Sequence, residues 1–242
     1  MNHTENYEMT ILVPLYNEEE NIDRLREVLS DYLAHAGKKS CVLFIDDGSD
    51  DSSRKKIQQV CATHDHFFYL GFDTNHGLSS ALKAGFDVTY SPYVAYLDAD
   101  LQTTPEDFEL LLPHISDYEL VTGIRAERKD RLIKKLSSRL ANSFRRAMTH
   151  DGVVDTGCPL KIMHTQTAQR LPFFKGMHRF IPALVQLQGG QVWQVPVRHF
   201  PRIAGKAKYN LRNRLVSPLI DCFAYRWMKK RNIRYSITEQ HI

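Results

Sequence analysis

Two carboxylates one residue apart, Asp98 and Asp100, follow a short apolar run that ends at Leu97, and Gln102 comes two positions later. On extended backbone the two side chains would point to opposite sides, but at a bend between strand and loop both can approach one ligand. Mg²⁺ and Mn²⁺ prefer oxygen ligands, and Mg²⁺ sites usually leave positions for phosphate oxygens. A carboxylate with the Gln102 carbonyl, completed by a diphosphate, fits that preference.

A second pair of carboxylates, Asp46 and Asp47, stands directly before Gly48 at the end of another apolar run. A tight turn there would leave a carboxylate facing a crevice, where it can accept the imide N–H of uracil or the N1–H and N2–H of guanine. The competing interpretation is a helix N-cap, a role expected for Ser52 or Asp50. A cap alone does not explain why two carboxylates precede the glycine.

Short apolar runs rich in β-branched and aromatic residues come before these clusters and indicate buried strands, and segments with helical spacing separate them. The alternation predicts an α/β fold, a mostly parallel sheet flanked by helices, whose ligands bind beyond the carboxyl ends of the strands. The predicted strands are Thr10–Leu15, Cys41–Ile45, Phe67–Phe72, Tyr93–Leu97 and Glu119–Thr122, and the predicted helices are Ile22–Leu33, Leu78–Phe86 and a short one after Pro105. After residue 125 we expect the alternation to stop, with a basic helix at 131–148, a loop at 151–159, a helix at Met177–Leu187 and a strand at Gln191–Val197.

Four segments, PLYNEEENI, DDGSDDSS, NHGLSSALKAGF and DADLQTTPEDF, occur in this order within residues 9–125. Together they resemble glycosyltransferase family 2, with its GT-A (Rossmann-like) fold. The later segments GIR, SRLAN, DTGCPLK and RIAGKAKY resemble the polyprenyl-phosphate branch of that family, which includes dolichol-phosphate mannose synthases and undecaprenyl-phosphate glycosyltransferases. We therefore expect one domain over 1–242, with a nucleotide-sugar-binding half at 9–125, an acceptor-side half at 126–210 and a membrane-interface helix at 211–235.

The resemblance implies a role for each matching residue. A nucleoside diphosphate sugar would be held on the donor side, a divalent cation (Mg²⁺ or Mn²⁺) at the carboxylates, and a polyprenyl phosphate on the acceptor side. Ala207 stands where relatives often have Ser, so a hydroxyl contact is in doubt there. The implied donor residues are Pro14, Tyr16, Glu18, Ile45, Asp47, Asp98, Ala99, Asp100, Arg202 and Lys208; the metal residues are Asp100 and Gln102; the catalytic residues are Asp100, Arg125, Arg139 and Asp155.

The chemistry of the residues agrees with this resemblance. A departing nucleoside diphosphate gains negative charge, which a divalent cation and Arg or Lys stabilise. A phosphate monoester acceptor, with a second pKa near ~6, is largely dianionic at neutral pH and needs no general base. We expect an inverting, single-displacement transfer without a dedicated base. Asp155 is the candidate base if that expectation is wrong, and its alternative role is a turn residue before Gly157.

The basic residues cluster in two runs, and this favours an anionic partner. Residues 202–234 hold ten Lys or Arg against Asp221 alone, and residues 125–146 hold nine against Glu127 and Asp130. The stripe of Leu211, Leu215, Leu219, Phe223 and Trp227, flanked by Lys229–Arg231, has the form of a helix at an anionic membrane surface, with Tyr225 and Tyr235 also suited to the headgroup level. Packing of that helix on the sheet is the alternative.

Other features of the sequence suggest a compartment. Four scattered cysteines without a CxxC pair favour a reducing environment, and neither a signal peptide nor an 18-residue apolar stretch is visible. We therefore expect a cytoplasmic protein bound peripherally to the inner face of the membrane, without the transmembrane hairpin of many relatives, acting in cell-envelope glycan biosynthesis.

Three other functions remain open from the sequence. A soluble member of the same family could act on a hydroxyl of a glycan, for which Asp155 would serve as base. A basic nucleic-acid-binding protein is disfavoured because the basic runs lack interleaved aromatic residues, so no nucleic-acid partner is expected. A nucleotide-binding regulator without catalysis is disfavoured by the intact set of Asp98, Asp100 and Gln102. The sugar, the choice between UDP and GDP, and the oligomeric state are left open.

Overall fold

The computed structural model describes residues 3–125, 143–201, 211–233 and 238–239, with backbone alone for 211–218. Seven strands form one sheet: β1 Met9–Leu15, β2 Ser40–Asp46, β3 Phe67–Gly71, β4 Tyr93–Tyr96, β5 Leu120–Arg125, β6 Lys161–His164 and β7 Val192–Val197. The helices are α1 Ile22–Leu33, α2 Ser53–Thr63, α3 Leu78–Val88, α4 Phe108–Leu111, α5 at 143–149, α6 Thr165–Arg170, α7 Ile181–Leu187 and α8 Leu211–Arg231. Short 3₁₀ turns lie at His3–Asn6, Pro105–Asp107, Leu112–His114 and Met177–Phe180.

The strand order is β3-β2-β1-β4-β6-β5-β7. All neighbouring pairs are parallel except those of β6, which runs antiparallel to β4 and to β5. Successive residues of the inner strands alternate between two cores, so Ile11 and Val13 join the layer of α1 and α4 while Leu12 joins that of α3 and α7. Burial on both faces explains why these strands read as continuous apolar runs. The predicted mostly parallel sheet flanked by helices is confirmed.

The elements after residue 125 differ in part from the prediction. The alternation does not stop there, because β6 and α6 follow a loop that spans the expected positions 151–159. The predicted helix Met177–Leu187 is a 3₁₀ turn followed by α7, and β7 matches its predicted strand. Of the basic helix expected at 131–148, residues 143–148 are helical within α5, and 131–142 lie outside the described residues.

Helix α8 continues through Pro218 to Arg231. Its inner face packs on the core through Asp221, Cys222 and Tyr225, all of them buried. The Tyr225 hydroxyl donates to the carbonyl of Ala183 at 3.1 Å, so the expectation that Tyr225 lies at a headgroup level is wrong. In the parts of the chain that the structure describes, no helix is long and apolar enough to cross a bilayer.

Candidate functional site

Polar residues gather where β2, β1 and β4 end side by side in the sheet, an edge that we call the carboxyl edge. Asp47 follows β2, Tyr16 follows β1 and Asp98 follows β4. Neighbouring strands lie about 5 Å apart, so the outer two turns are about 10 Å apart. Because β6 is antiparallel, its first residue, Lys161, pairs with Tyr96 and lies at this same edge.

Asp46 has a structural role at this edge. Its buried carboxylate accepts the Nε–H of Arg54 at 2.5 Å and the backbone N–H of Ser49 at 3.2 Å. Arg54 also donates to the carbonyl of Phe72. The residue therefore ties the end of β2 to α2 and to the end of β3, which explains one of the two adjacent carboxylates.

Asp47 holds the loop before α3. Its carboxylate accepts the backbone N–H groups of His76 at 2.7 Å and Gly77 at 2.8 Å, and the side-chain amide of Asn75 at 3.0 Å. Burial raises the pKa of Asp47, although these backbone groups act in the opposite direction. A carboxylate has about four acceptor positions, so one remains for a nucleobase. Gly48 has φ +73°, and a Cβ there would lie 2.3 Å from the backbone of Thr74, so this turn requires glycine.

The turn after β1 is clamped to the turn after β2. Asn17, at φ 51°, donates its side-chain amide to Asp50 at 2.6 Å, and Asp50 returns a backbone N–H to Asn17 at 3.0 Å. The backbone N–H of Glu18 donates to the Ser53 hydroxyl at 2.8 Å. Ser52 occupies the N-cap position of α2 without a side-chain cap bond, so the expected cap by Ser52 or Asp50 is wrong. Asp51 instead accepts the N–H of Ser53 at 2.8 Å.

Among the expected donor residues near these turns, two have buried positions within strands. Pro14 pairs with Ile45 across β1 and β2. The Ile45 side chain is fully buried among the α3 core residues, so only its backbone is available at this end of the sheet. Tyr16 and Glu18 are half-buried just beyond β1, and their contact with a donor stays a prediction.

The chain turns sharply after Asp98, as a shared ligand would require. Leu101 has φ 51°, and the backbone N–H of Gln102 donates to Asp100 at 3.1 Å. Burial raises the pKa of Asp98 to about 6, helped by the charge of Asp100 and opposed by a hydrogen bond from the Tyr96 hydroxyl. Two carboxylates this close together, the charge of one raising the pKa of Asp98, are a donor set that fits Mg²⁺ or Mn²⁺.

Among the described residues no three His, Cys, Asp or Glu side chains lie close enough together to hold a metal. The carboxylates after β4 would therefore need further ligands, such as the oxygens of a diphosphate. The backbone carbonyl of Gln102 already accepts the N–H of Phe200 at 2.8 Å and lies 3.1 Å from Nδ1 of His199. Gln102 thus connects the turn of Asp98 and Asp100 to the segment after β7, and its own ligation of a metal stays a prediction.

The segment that leads to the expected diphosphate clamp is fixed at the carboxyl edge. Besides the bonds of Phe200, Arg198 donates its backbone N–H and its Nε–H to Asp107, both at 2.7 Å. Arg202 and Lys208 lie outside the described residues, as does Arg139. The described residue two positions before Arg202 is thus bonded directly to the turn that carries Asp100.

Arg125, at the end of β5, is paired with Asp155. Its Nε and Nη2 donate to the two carboxylate oxygens at 2.7 and 2.8 Å. Burial alone would raise the pKa of Asp155, yet the hydrogen bonds and charge of Arg125 outweigh burial and lower it. A carboxylate with a lowered pKa, held by a guanidinium, is a weak proton acceptor, which argues against Asp155 as a base.

Sequence reasoning missed one charged residue within this group. Lys161 is buried, and its ammonium donates to the carbonyls of Thr156 (at 3.4 Å) and Cys158. Burial lowers the pKa of Lys161, while the charges of Asp155 and Asp98 act in the other direction. The available signal was a lysine inside the apolar run from Leu160 to Met163, which only the antiparallel placement of β6 brings to the carboxyl edge.

Helix α8 carries an exposed apolar surface opposite its packed face. Ile220, Phe223 and Trp227 are 62%, 61% and 63% exposed. Arg231 lies over the Trp227 ring, and Lys229 donates to the carbonyl of Thr149 at 3.0 Å. Phe223 and Trp227, which belong to the predicted apolar stripe, thus face solvent, while the face of α8 that carries Tyr225 packs on the core.

Comparison with known proteins agrees with this geometry. The family model of glycosyl transferase family 2 matches residues 10–172. Undecaprenyl-phosphate 4-deoxy-4-formamido-L-arabinose transferases of Pectobacterium carotovorum and Pectobacterium atrosepticum are 30% identical over 204 residues, which cover 84% of this chain and 62% of each relative. The chain therefore spans less than two thirds of the length of these relatives.

Two solved structures share the fold. Glucosyl-3-phosphoglycerate synthase from Mycobacterium tuberculosis, in complex with Mn²⁺, UDP and glucosyl-3-phosphoglycerate, superposes with a TM-score of 0.69 at 14% identity, covering 97% of this chain and 83% of that one. A mannosyltransferase from Pyrobaculum calidifontis, in complex with GDP-Man and Mn²⁺, has a TM-score of 0.65 at 18% identity and covers 92% and 65%. The expected GT-A architecture is confirmed, and the chain belongs to glycosyl transferase family 2.

Proposed function

We propose that this protein transfers a sugar from a UDP- or GDP-sugar to a polyprenyl phosphate at the cytoplasmic face of the membrane. The observation that carries the proposal is the carboxyl edge, where Asp47, the turn of Asp98 and Asp100, and the Arg125–Asp155 pair lie at the ends of β2, β4 and β5, three parallel strands of one sheet. The identity to undecaprenyl-phosphate sugar transferases supports the lipid acceptor.

On the donor side, the nucleoside would lie across the ends of β1 and β2. Tyr16 and Glu18 would line it, and the remaining acceptor position of Asp47 would receive an N–H of the base. The Asn17–Asp50 clamp keeps these two turns together at 2.6 Å. Because Asp47 also fixes the loop at 75–77, donor binding and loop position depend on the same carboxylate.

The diphosphate would meet the turn after β4. Asp100, with Asp98 and Gln102, would hold Mg²⁺ or Mn²⁺, which supplies charge stabilisation to the departing nucleoside diphosphate. Arg202 and Lys208 would close over the same diphosphate from the segment that Phe200 attaches to Gln102. Because the positive charges of Arg202 and Lys208 and of the metal ion would stabilise the departing diphosphate, it would not need to be protonated as it leaves.

On the acceptor side, Arg125 and Arg139 would orient the lipid phosphate for an inverting, single displacement. Arg125 uses two of its five N–H donors on Asp155, so others remain for a phosphate. A phosphate dianion needs no base, and the lowered pKa of Asp155 disfavours the rival reaction with a sugar hydroxyl. Asp155 would then position Arg125.

The exposed face of α8 would bring the enzyme to the lipid. Ile220, Phe223 and Trp227 would enter the headgroup region, and Lys230 and Arg231, which are exposed beside them, would favour anionic lipids. The packed face, held by Tyr225 and Lys229, would keep the carboxyl edge at a fixed distance from the surface.

A panel of UDP- and GDP-sugars, incubated with Mn²⁺ or Mg²⁺ and short-chain undecaprenyl phosphate, tests this function. We expect one donor to release its nucleotide faster by an order of magnitude or more when the lipid phosphate is added, with a glycolipid as product. The control acceptor is the corresponding polyprenyl alcohol, which lacks the phosphate and should not accept the sugar. Turnover with glycan hydroxyls alone would favour the soluble rival.

A further inference from the structure

His178 lies in the 3₁₀ turn Met177–Phe180 and is attached to the first turn of α3. Its Nδ1 is 2.8 Å from the Ser79 hydroxyl oxygen. Ser79 comes two residues after Gly77, whose backbone N–H binds Asp47 at 2.8 Å. The histidine is therefore held beside the loop that Asp47 fixes at the carboxyl edge.

The hydrogen bonds of Ser79 determine the tautomer of this histidine. The Ser79 oxygen accepts the backbone N–H of Gly176 at 3.1 Å and that of His178 at 3.4 Å. A serine hydroxyl has two acceptor positions and one proton, so both acceptors are used and the proton is donated to Nδ1. Nδ1 is then an acceptor, and the neutral ring carries its proton on Nε2.

The surroundings keep the ring neutral. Burial, with the positive charges of Arg179 and Lys161, lowers the pKa of His178 to about 3. The charge of Lys161 acts on both His178 and Asp98, so the histidine lies on the same side of the sheet as the turn expected to meet the diphosphate. Since Nδ1 faces α3, Nε2 on the far edge of the ring points away from α3.

The Nε2–H group has no hydrogen-bond partner among the residues that the structure describes. An N–H group that no described residue accepts is available to donate to a ligand that offers an oxygen. Phosphate oxygens in this region already have cations available, whereas a sugar is neutral and presents hydroxyl and ring oxygens.

We propose that His178 is a sugar-binding residue, whose Nε2–H donates to an oxygen of the sugar carried by the nucleotide donor and thereby contributes to donor specificity. The inference rests on the proposed function, because it takes the diphosphate to lie at the Asp98–Asp100 turn. Ser79 is its positioning residue.

Two substitutions distinguish the hydrogen-bonding N–H group of His178 from the shape of its ring. His178→Phe keeps a ring of similar size without an N–H, and His178→Gln keeps a neutral N–H donor. His114→Phe is the matched control, since the ring of His114 lies 5.7 Å from that of Trp193, tilted by 42°, on a different surface. Calorimetry in Mn²⁺ would measure the Kd of UDP, GDP, UDP-glucose, UDP-galactose, UDP-N-acetylglucosamine and GDP-mannose.

For the nucleotide sugar that binds the wild type best, we expect His178→Phe to raise Kd about three- to tenfold, the loss of one neutral hydrogen bond. His178→Gln and the control should stay within about twofold, and Kd for the bare nucleotide should not change. Equal weakening of bare nucleotide and nucleotide sugar, or no weakening, would overturn the inference. If the wild type binds no nucleotide at all, the proposed function fails and this inference falls with it.

A spectroscopic measurement does not depend on activity. In ¹⁵N-histidine-labelled protein we expect His178 to show the Nε2–H tautomer and to remain neutral at pH 5, with the Nε2 signal shifting on addition of the nucleotide sugar. Ser79→Ala should allow the Nδ1–H tautomer of His178 to be populated as well. Ser80→Ala should leave the tautomer unchanged, because the Ser80 hydroxyl donates to the carbonyl of His76 instead. An Nδ1–H tautomer in the wild type would contradict the assignment.

Discussion

Asp155 accepts two parallel hydrogen bonds from Arg125, at 2.7 Å from Nε and at 2.8 Å from Nη2. Only 13% of the arginine side chain and 12% of the aspartate side chain are exposed. Such two-point pairs fix the plane of a guanidinium as well as its position. The remaining N–H donors of Arg125 therefore have a defined direction at the end of β5. This geometry separates a positioning role of Asp155 from a role as base.

Replacing Asp155 by Asn tests that separation. If Asp155 orients Arg125, we expect a higher KM for the lipid phosphate and a kcat reduced by less than about tenfold, since a neutral amide keeps part of the contact. The free energy of unfolding should fall by about 1.5–3 kcal/mol, the usual contribution of a charged hydrogen bond. Steady-state kinetics and urea unfolding measure both.

A catalytic base would give a different pattern. Its loss would lower kcat by about 10²–10⁴-fold and remove the acid limb of the pH–rate profile, and that outcome would restore the hydroxyl-acceptor reaction. Asp117→Asn is the control. Asp117 is exposed, and it comes before β5, far from Arg125 and from the carboxyl edge.

The first half of the fold could be predicted because its inner strands β1, β2 and β4 are buried almost throughout and therefore appear as apolar runs. Three elements were not predicted, for physical reasons, and one of them is α6, which has only 6 residues. Helix α2 buries only Ser53, Ile57 and Val60, too few to give a periodic signal, and β6 has four residues and begins with a charged one. Lys161 is acceptable there because carbonyls of the preceding loop receive its ammonium.

The site was predicted at the level of position rather than of bonding. Asp47 and Asp98 could be assigned to one edge because parallel strands align their carboxyl ends. The sequence does not show that Asp46 binds Arg54 or that Asp47 binds the loop at 75–77, because these contacts join residues apart in sequence. The same holds for the tautomer of His178, which is set by a serine 99 residues away.

Asp100→Ala should abolish metal-dependent donor turnover. The substitution removes one of two carboxylates at a turn where no third acidic, cysteine or histidine ligand lies among the described residues, so the loss cannot be compensated nearby. Mn²⁺ binding in the presence of UDP, followed by electron paramagnetic resonance, should weaken in parallel. Asp117→Ala should leave both properties unchanged, and full turnover in Asp100→Ala would remove the metal role of that residue.

The exposed surface of α8 can be tested with the two tryptophans of the chain. Trp227→Ser removes most of an exposed apolar ring from the proposed membrane face, while Trp193→Ser removes one that is 42% exposed on β7. At roughly 25 cal/mol per Å² and 150–250 Å² for an aromatic ring, complete burial of the ring contributes several kcal/mol. We expect Trp227→Ser to lower partitioning into vesicles containing phosphatidylglycerol by tenfold or more.

Co-flotation with vesicles measures this partitioning, and neutral phosphatidylcholine vesicles should bind the wild type less strongly because of the basic residues near Trp227. In Trp193→Phe, the fluorescence of the remaining Trp227 should shift to the blue on addition of anionic vesicles. Equal flotation of the two serine variants would show that α8 is not the membrane contact.

The stability of the protein should depend on pH through His178. Its pKa falls from 6.5 to about 3 on folding, so between these values the unfolded chain takes up a proton that the folded chain does not. This residue therefore stabilises the fold fully above pH 6.5, and its contribution is lost progressively as the pH falls toward 3. Besides burial, the positive charges of Arg179 and Lys161 contribute to this shift.

Urea unfolding at pH 7.5, 6 and 5 measures this effect as the difference between the wild type and His178→Phe. Below pH 6.5 the wild type should lose up to about 1.4 kcal/mol per pH unit more than the variant, and the two curves should run parallel above it. His114→Phe is the control and should follow the wild type at every pH, because His114 lies beside Trp193 on a different surface. Parallel curves for His178→Phe over the whole range would mean that His178 takes up its proton at the same pH in the folded and the unfolded chain, which would contradict the buried neutral ring.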